Sequence, residues 1–250
     1  MQGAPVIAEK LKTIYRELSR AMDGLSFGPP TACVYNPLDY ARGPAEHYLH
    51  RAGGTHKEML FLGMNPGPWG MAQTGVPFGT VGFVRDWLGV EGPVGKPAVE
   101  HPKRPIQGFA IDREEVSGSR LWGWARDRFG TPDSFFERIF VANYCPLLFM
   151  EASGRNRTPD KLPAAEQNEL FEHCDRALRR VVETLCPRLV VGVGKFAEDR
   201  ARSALGDRDV RIGRILHPSP ASPAANRGWS GQAEHQLEAL GFSMASLRLQ

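Results

Sequence analysis

Three polar side chains each stand at the end of a short apolar run, and each opens a proline-bearing loop. They are Asn65 in Asn65-Pro66-Gly67-Pro68, Asn143 in Asn143-Tyr144-Cys145-Pro146, and His217 in His217-Pro218-Ser219-Pro220. Proline presets the backbone and lowers the entropy a loop must lose, which suits a site that has to keep its shape. A neutral amide is no base, but its carbonyl oxygen can orient a water, and an imidazole can donate to a developing anion. Such a set suits a transition state that is already cationic and needs only a weak nucleophile. Each residue also has a plainer reading: Asn65 as a helix cap, Asn143 as a turn residue, Phe78 as core, His217 as a structural histidine. The unusual run from Gly63 to Gly79 lacks the Gly-Lys-Ser/Thr of a phosphate-cradling loop and the G-x-S-x-G of a nucleophile elbow.

Positioning these residues falls to four apolar runs of strand length, at 59–64, 139–142, 189–193 and 210–216. The first three show little polar alternation, as strands covered on both faces do; the last carries Arg211 and Arg214 and is expected at an edge. Helical spacing links them. Between Pro163 and Pro187, Leu170, Cys174, Leu178, Val181, Val182 and Leu185 make one apolar stripe. Further helices are predicted near 195–205 and 231–240, and an N-terminal helix at about 5–25. Strands alternating with helices predict an α/β fold, a three-layer α/β/α sandwich around a mainly parallel sheet of about four strands. The whole of 1–250 is expected to be one domain, with 89–113 as a long surface excursion. In such sheets ligands bind beyond the carboxyl ends of the strands, where Asn65, Asn143 and His217 all fall.

Composition narrows the function classes. The chain has 250 residues, 42% hydrophobic and 24% charged, an ordinary globular balance that excludes wholesale disorder. Lys+Arg 31 against Asp+Glu 28 leaves +3, too little to argue for nucleic acid by itself, so any basic footprint must be local. The local candidates are Lys103 and Arg104, in the run from His101, and Arg155 to Arg157; as loops near the rim they are expected to contact phosphates. Cys33, Cys145, Cys174 and Cys186 are far apart with no CxxC pair, so reduced buried thiols are expected rather than a zinc or iron–sulfur site. His47 and His50, three apart, are expected on a solvated helix face. No metal and no organic cofactor is predicted. With no apolar run of membrane length and no apolar block at the N-terminus, an intracellular location is expected.

Taken together, the segment from Gly63 to Gly79, His217-Pro218-Ser219-Pro220 and Asn226-Arg227-Gly228-Trp229 resemble the single-strand-selective monofunctional uracil-DNA glycosylases. Tyr35-Asn36-Pro37, Glu100 to Pro105, Glu115-Val116-Ser117-Gly118, Cys145-Pro146-Leu147 and Ser153 to Asn156 are similar to that family too, so the likeness runs from about 30 to 240. It implies hydrolysis of the N-glycosidic bond of deoxyuridine in single- or double-stranded DNA, which is base excision repair, by a monomer. Asn65 would hold the hydrolytic water, with Met64 and Gly67 against the base and deoxyribose. Phe78 would stack on the flipped uracil, Asn143 would read its N3 and O4 side, and His217 would hydrogen-bond O2. Lys103, Arg104, Arg155, Asn156 and Arg157 would bind DNA, as would Ser219, Ala221, Ser222 and Arg227 in the strand-insertion loop. No lysine stands in the Gly63–Gly79, Asn143 or His217 motifs to form a Schiff base with the sugar, so the reaction is expected to stop at an abasic site. Alternatives are a preference for xanthine, hypoxanthine or 5-hydroxymethyluracil, or a non-catalytic lesion-binding module.

The departures from related patterns are specific. The more familiar uracil-DNA glycosylases carry an Asp and a Tyr where this chain has Asn65 and Gly67, and the iron–sulfur branch needs a cysteine cluster that is missing here. Vertebrate-type members carry an arginine and an asparagine after the His-Pro-Ser-Pro motif; here Ala221 and Ser222 follow.

Overall fold

Alternating apolar runs and amphipathic stripes settle into two sheets in the computed structural model, which describes residues 4–242. The strands are β1 (Thr31–Tyr35), β2 (Met59–Gly63), β3 (Ile139–Asn143), β4 (Leu148–Glu151), β5 (Asn156–Arg157), β6 (Leu189–Val193) and β7 (Arg211–Ile215). The larger sheet is parallel, in the order β3-β2-β6-β7, with Gly63 opposite Asn143 in its register. β2 and β6 are buried at every position, whereas exposed arginines alternate with buried residues along β7, the edge strand expected from the sequence.

The helices are α1 (Ala4–Asp23), α2 (Pro37–Tyr40), α3 (Arg42–Ala52), α4 (Met71–Thr74), α5 (Val116–Phe129), α6 (Pro132–Phe136), α7 (Ala164–Leu185), α8 (Lys195–Leu205), α9 (Pro223–Asn226) and α10 (Trp229–Ala239). From β2 the chain crosses to β3 in one direction, then runs to β6 and β7 in the other. Right-handed crossovers therefore put α5 on one face and α7 with α8 on the opposite face. α1 buries Leu11, Ile14, Leu18 and Met22 against this second layer, packing on α7 and α3. The reversal of direction leaves a crevice between β2 and β6 at the carboxyl ends, the place where open α/β sheets hold ligands.

The sequence reading missed a second, antiparallel sheet, β1-β4-β5. Its signals were weak: β4 directly follows the Cys145-Pro146-Leu147 turn, and β5 is two residues long. Two smaller expectations also change or hold. Cys33, Cys145 and Cys174 are buried, but Cys186 is exposed, because it ends α7 in the left-handed conformation (φ 49°) and turns its thiol outward. His47 and His50 lie exposed on α3, and no group of three metal-ligating side chains occurs among the described residues. No helix among them is long and apolar enough to cross a membrane.

Candidate active site

The loops that leave β2 and β3 remain joined after the strands end. Tyr144 N–H donates to the Gly63 carbonyl and Cys145 N–H to the Met64 carbonyl, both at 2.9 Å. The Leu147 N–H turns back onto the Cys145 sulfur at 3.4 Å, which presents the Leu147 carbonyl to Asn65. Asn65 Nδ2 donates to that carbonyl at 3.1 Å. A carbonyl can only accept, so the amide nitrogen must face it, and the Asn65 oxygen is the half left for a water. Capping is not what Asn65 does: the N-cap of α4 is Gly70, with no side-chain cap.

Asn65 opens onto a cleft of about 400 Å³ at the strand ends, lined also by Met64, Gly67, Phe78, Asn143 and His217. All six inner residues expected from the sequence therefore meet in one place. A larger groove of about 660 Å³ lies between α1 and α7 instead of at the strand ends, and it is lined by the outer sides of those helices. Gly63, the last residue of β2, lies against two of these side chains. A Cβ there would stand 2.3 Å from Asn143 Oδ1 and 2.6 Å from Phe78 Cε2, so only a bare backbone lets those two side chains converge. Phe78 itself has φ 53°, a left-handed conformation costly for a bulky side chain. Its ring centroid is 6.1 Å from that of His217, and the planes are tilted by 41°. Asn143 Nδ2 rests on the Met71 sulfur at 3.1 Å, a weak acceptor that a base carbonyl can readily replace.

His217 follows β7 and is held by its neighbours. The Trp229 indole donates to the Leu216 carbonyl at 2.6 Å, and Leu216 N–H donates to Gln236 at 2.7 Å. Burial pushes the imidazole down to about 4, so at neutral pH it is uncharged and has one N–H available to donate. A neutral donor aimed at a leaving anion stabilises charge as it develops and pays no cost of charging the ring beforehand.

Three supporting residues were given no role by the sequence reading, although Gln73 and Glu115 lie in motifs it singled out. Gln73, wholly buried, donates to the Pro68 and Pro105 carbonyls and accepts from Gln107 and Gly108 N–H, tying the Asn65 loop to the excursion. Its signal was a lone amide in an apolar, glycine-rich run. Arg120 on α5 donates to the Pro218 and Ser219 carbonyls and, at 2.8 Å, to Asn226 Oδ1, which fixes the loop after His217. Nothing in its local sequence marks it. Glu115 lines the cleft and accepts from Trp69 N–H at 3.3 Å, and burial raises its carboxyl above the ordinary value. Its Oε2 lies 2.2 Å from where a Cβ on Gly67 would stand. Glu115 thus fills the space that a side chain at position 67 would need.

Around the cleft, the basic candidates divide. Lys103 and Arg104 sit on a loop pinned by the Tyr35 hydroxyl, which donates to the Arg104 carbonyl at 2.8 Å and accepts from His101 N–H at 2.6 Å. His101 is buried and contacts the Ala152 carbonyl through Nε2, so the 101–104 and 153–155 loops are linked and His101 itself belongs to the interior. Arg155 and Asn156 are exposed, and Asn156 reaches the cleft. Arg157 differs from the expectation. Its guanidinium is 3.6 Å from Glu151, donates to the Lys161 carbonyl, and its side chain is only 18% exposed, so it braces the loop from inside instead of facing a phosphate. Ser219 Oγ accepts from Ala221 N–H, and Ser222 Oγ caps α9 at Ala225 N–H; both oxygens therefore shape the loop. Ala221 and Arg227 are exposed on it.

Known proteins resemble this chain over most of its length. The model of the uracil DNA glycosylase superfamily matches residues 50–240. The single-strand selective monofunctional uracil DNA glycosylase of Mus musculus is 53% identical over 227 residues, covering 90% of this chain and 81% of the mouse protein. That of Bos taurus is 52% identical over 220 residues, covering 87% of this chain and 81% of its own length. Among solved structures, Pedobacter heparinus SMUG2 matches with a TM-score of 0.69 at 18% identity, over 95% of this chain and 99% of that one, a likeness of fold. With a family model that matches residues 50–240 and identity of 52–53% over most of both chains, the chain belongs to the uracil DNA glycosylase superfamily and, within it, to the single-strand selective monofunctional family.

Proposed function

We propose that this protein is a DNA repair glycosylase that hydrolyses the N-glycosidic bond of deoxyuridine in DNA, releasing uracil and leaving an abasic site. The observation that carries the reading is the pairing of Asn65, its amide nitrogen committed to Leu147, with an uncharged His217 across one cleft. As the bond from C1′ to N1 breaks, its electron pair moves onto the uracil, and positive charge grows on the sugar. His217 donates to O2 and stabilises the departing anion. Phe78 covers the flipped base, and Asn143 accepts from N3–H and donates to O4. The water on the Asn65 oxygen then adds to C1′, and its proton passes to solvent, from which the released uracil anion is protonated. A cationic sugar needs no strong nucleophile, so a neutral amide suffices.

Lys103, Arg104, Arg155 and Arg227 bind phosphates around the rim, and Asn156 meets the strand as it enters. The described chain works as one domain, a monomer acting inside the cell, without metal or organic cofactor. A strand carrying one deoxyuridine, incubated with the protein and then treated with alkali, tests the reading. Scission only after alkali is expected. Scission before alkali would indicate a lyase step, and binding with no scission would leave only a lesion-binding module. The same strand bearing xanthine, hypoxanthine or 5-hydroxymethyluracil ranks the competing bases, and activity unchanged by EDTA is expected.

A further inference from the structure

Beside the cleft lies a charged stack that the chemistry above does not use. Trp69 follows directly on Pro68, which lines the cleft, and its backbone N–H is held by the cleft residue Glu115. Over its indole ring stand two guanidinium carbons, that of Arg104 at 4.9 Å and that of Arg113 at 4.5 Å from the ring centroid. The two arginines come from opposite ends of the 101–113 part of the excursion, and Gln73 and Tyr35 fix the chain between and beside them. Neither arginine has a carboxylate within ion-pair distance among the described residues. Two like charges on one ring repel, and a cation–π contact at a partly exposed site offsets only part of that repulsion. An anion between or across them would relieve that repulsion.

We propose that Arg104 and Arg113, stacked on Trp69, form a clamp for a DNA phosphodiester adjoining the flipped nucleotide, with Trp69 as the platform that holds both guanidiniums flat. A planar guanidinium laid on an aromatic face has its N–H fork directed away from the ring edge, the geometry that grips two phosphate oxygens. Of the acidic neighbours, Asp112 forms no ion pair with Arg113, and the two glutamates that follow are engaged elsewhere. Glu114 accepts from the Ser119 hydroxyl, and the Glu115 carboxyl is turned to Gly67 and Trp69 N–H. The clamp adds Arg113 and Trp69 to a footprint that sequence placed only on Lys103, Arg104 and the loops beyond.

The inference rests on the glycosylase reading, and one set of measurements separates the two. Uracil release and equilibrium binding are measured on a single-stranded uracil oligonucleotide over a salt series, for wild type, Arg113→Ala, Arg113→Glu and Trp69→Leu. Arg113→Ala removes an exposed side chain without an ion pair, so its fold is not at stake, and a thermal melt verifies this for Trp69→Leu. Arg113→Ala is expected to lower the slope of log K against log salt by about one and to raise KM roughly tenfold, with a much smaller change in kcat. Arg113→Glu should weaken binding further. Trp69→Leu, folded, should match or exceed Arg113→Ala, because it releases both arginines. Unchanged salt slope and KM in both Arg113 variants would overturn the clamp while leaving the glycosylase intact. A Trp69→Leu protein that binds as wild type does would overturn the platform. A wild-type protein that releases no uracil would overturn the underlying reading instead.

Discussion

The inner cleft and its rim are built on opposite principles. Inside, the groups placed to meet the base and the water are two amides and an uncharged imidazole, each anchored: Asn65 on the Leu147 carbonyl, Asn143 on the Met71 sulfur, His217 in a loop held by Trp229, Gln236 and Arg120. On the rim, Arg113, Arg155 and Arg227 are exposed cations on loops. Anchoring keeps donors aimed where charge develops and avoids reorganisation during the reaction, so each inner group should influence kcat. Exposed cations meet phosphates through screened, long-range attraction, so rim groups should influence affinity and its salt dependence. The difference predicts which substitutions slow the chemistry and which merely loosen the DNA.

The largest effect should come from the leaving-group donor. His217→Ala is expected to lower kcat on the order of 10²–10³-fold, the scale of losing one such donor, with DNA affinity nearly unchanged. Single-turnover kinetics at saturating enzyme measure this directly. A variant within threefold of wild type would move His217 from the inner set to mere packing.

Next comes Asn65→Asp, where the sequence leaves two outcomes open and the structure favours one. If positioning the water were all that is needed, a carboxylate oxygen could accept the same hydrogen bond and substantial activity would survive; if the amide NH₂ matters, it would not. The structure sets the Asn65 nitrogen 3.1 Å from the Leu147 carbonyl as a donor. An aspartate would bring oxygen against oxygen there, lose the anchor and swing the water out of line. A loss of roughly ten- to a hundredfold is expected, matching the cost of one buried unsatisfied partner. Activity close to wild type would mean that the anchor contributes nothing to positioning the water.

Gly63→Ala should follow. Its Cβ would stand 2.3 Å from Asn143 Oδ1 and 2.6 Å from Phe78 Cε2, so both must move while the strand itself stays paired. Displacements near an ångström at a reacting centre can cost up to about a hundredfold in rate. Turnover should drop well before the melting temperature does, and equal losses in both would place Gly63 in the core rather than in the site.

The pH profile gives a further comparison. Burial lowers the His217 imidazole from 6.5 to about 4. The unfolded chain therefore binds that proton more readily, and this group's contribution to stability is full above about 6.5 and lost as pH falls toward 4. Between those values the ring stays neutral, and no inflection in kcat/KM from this residue is expected near 6.5. An inflection there that disappears in His217→Gln would show that an imidazolium acts in the reaction.

How much of this was legible in the sequence follows the same division. Asn65, Asn143 and His217 announced themselves because each ends an apolar run before a proline loop, and strand ends share one rim. The four parallel strands followed from uninterrupted apolar runs, and β7 from its alternating arginines. Residues that act through tertiary contacts left little trace. Arg120 reads as one more arginine on an amphipathic helix, yet it holds three groups of the loop after His217. Arg157 looks identical to Arg155 in sequence, and only its ion pair with Glu151 and its bond to Lys161 separate brace from rim.

The smallest expected effect concerns the rim's missing wedge. Where vertebrate-type members of the family carry an arginine and an asparagine, Ala221 and Ser222 stand on a loop whose shape is already fixed. Arg120 holds the Pro218 and Ser219 carbonyls, Asn226 donates to the Pro220 carbonyl at 2.9 Å, and Ala221 N–H donates to Ser219. The tip therefore presents a methyl group that cannot fill the gap left by a flipped nucleotide. Unstacking a base costs a few kcal/mol, least where it is mismatched or already single-stranded, and little of it is returned here. Uracil in single strands and in mismatches should be removed faster, relative to paired uracil, than an enzyme with a long wedge would manage. Ala221→Arg should raise the ratio of paired to single-stranded rate by a fewfold and tighten binding to an abasic duplex, because a rigid loop would carry the new side chain straight toward the stack. The alternative is that a basic loop already supplies the wedge. With Arg157 held inside by Glu151 and Lys161, that alternative narrows to Arg155. If Ala221→Arg changes neither quantity while Arg155→Ala lowers the paired-to-single-stranded ratio, Arg155 is the wedge and the 218–226 loop only supports His217.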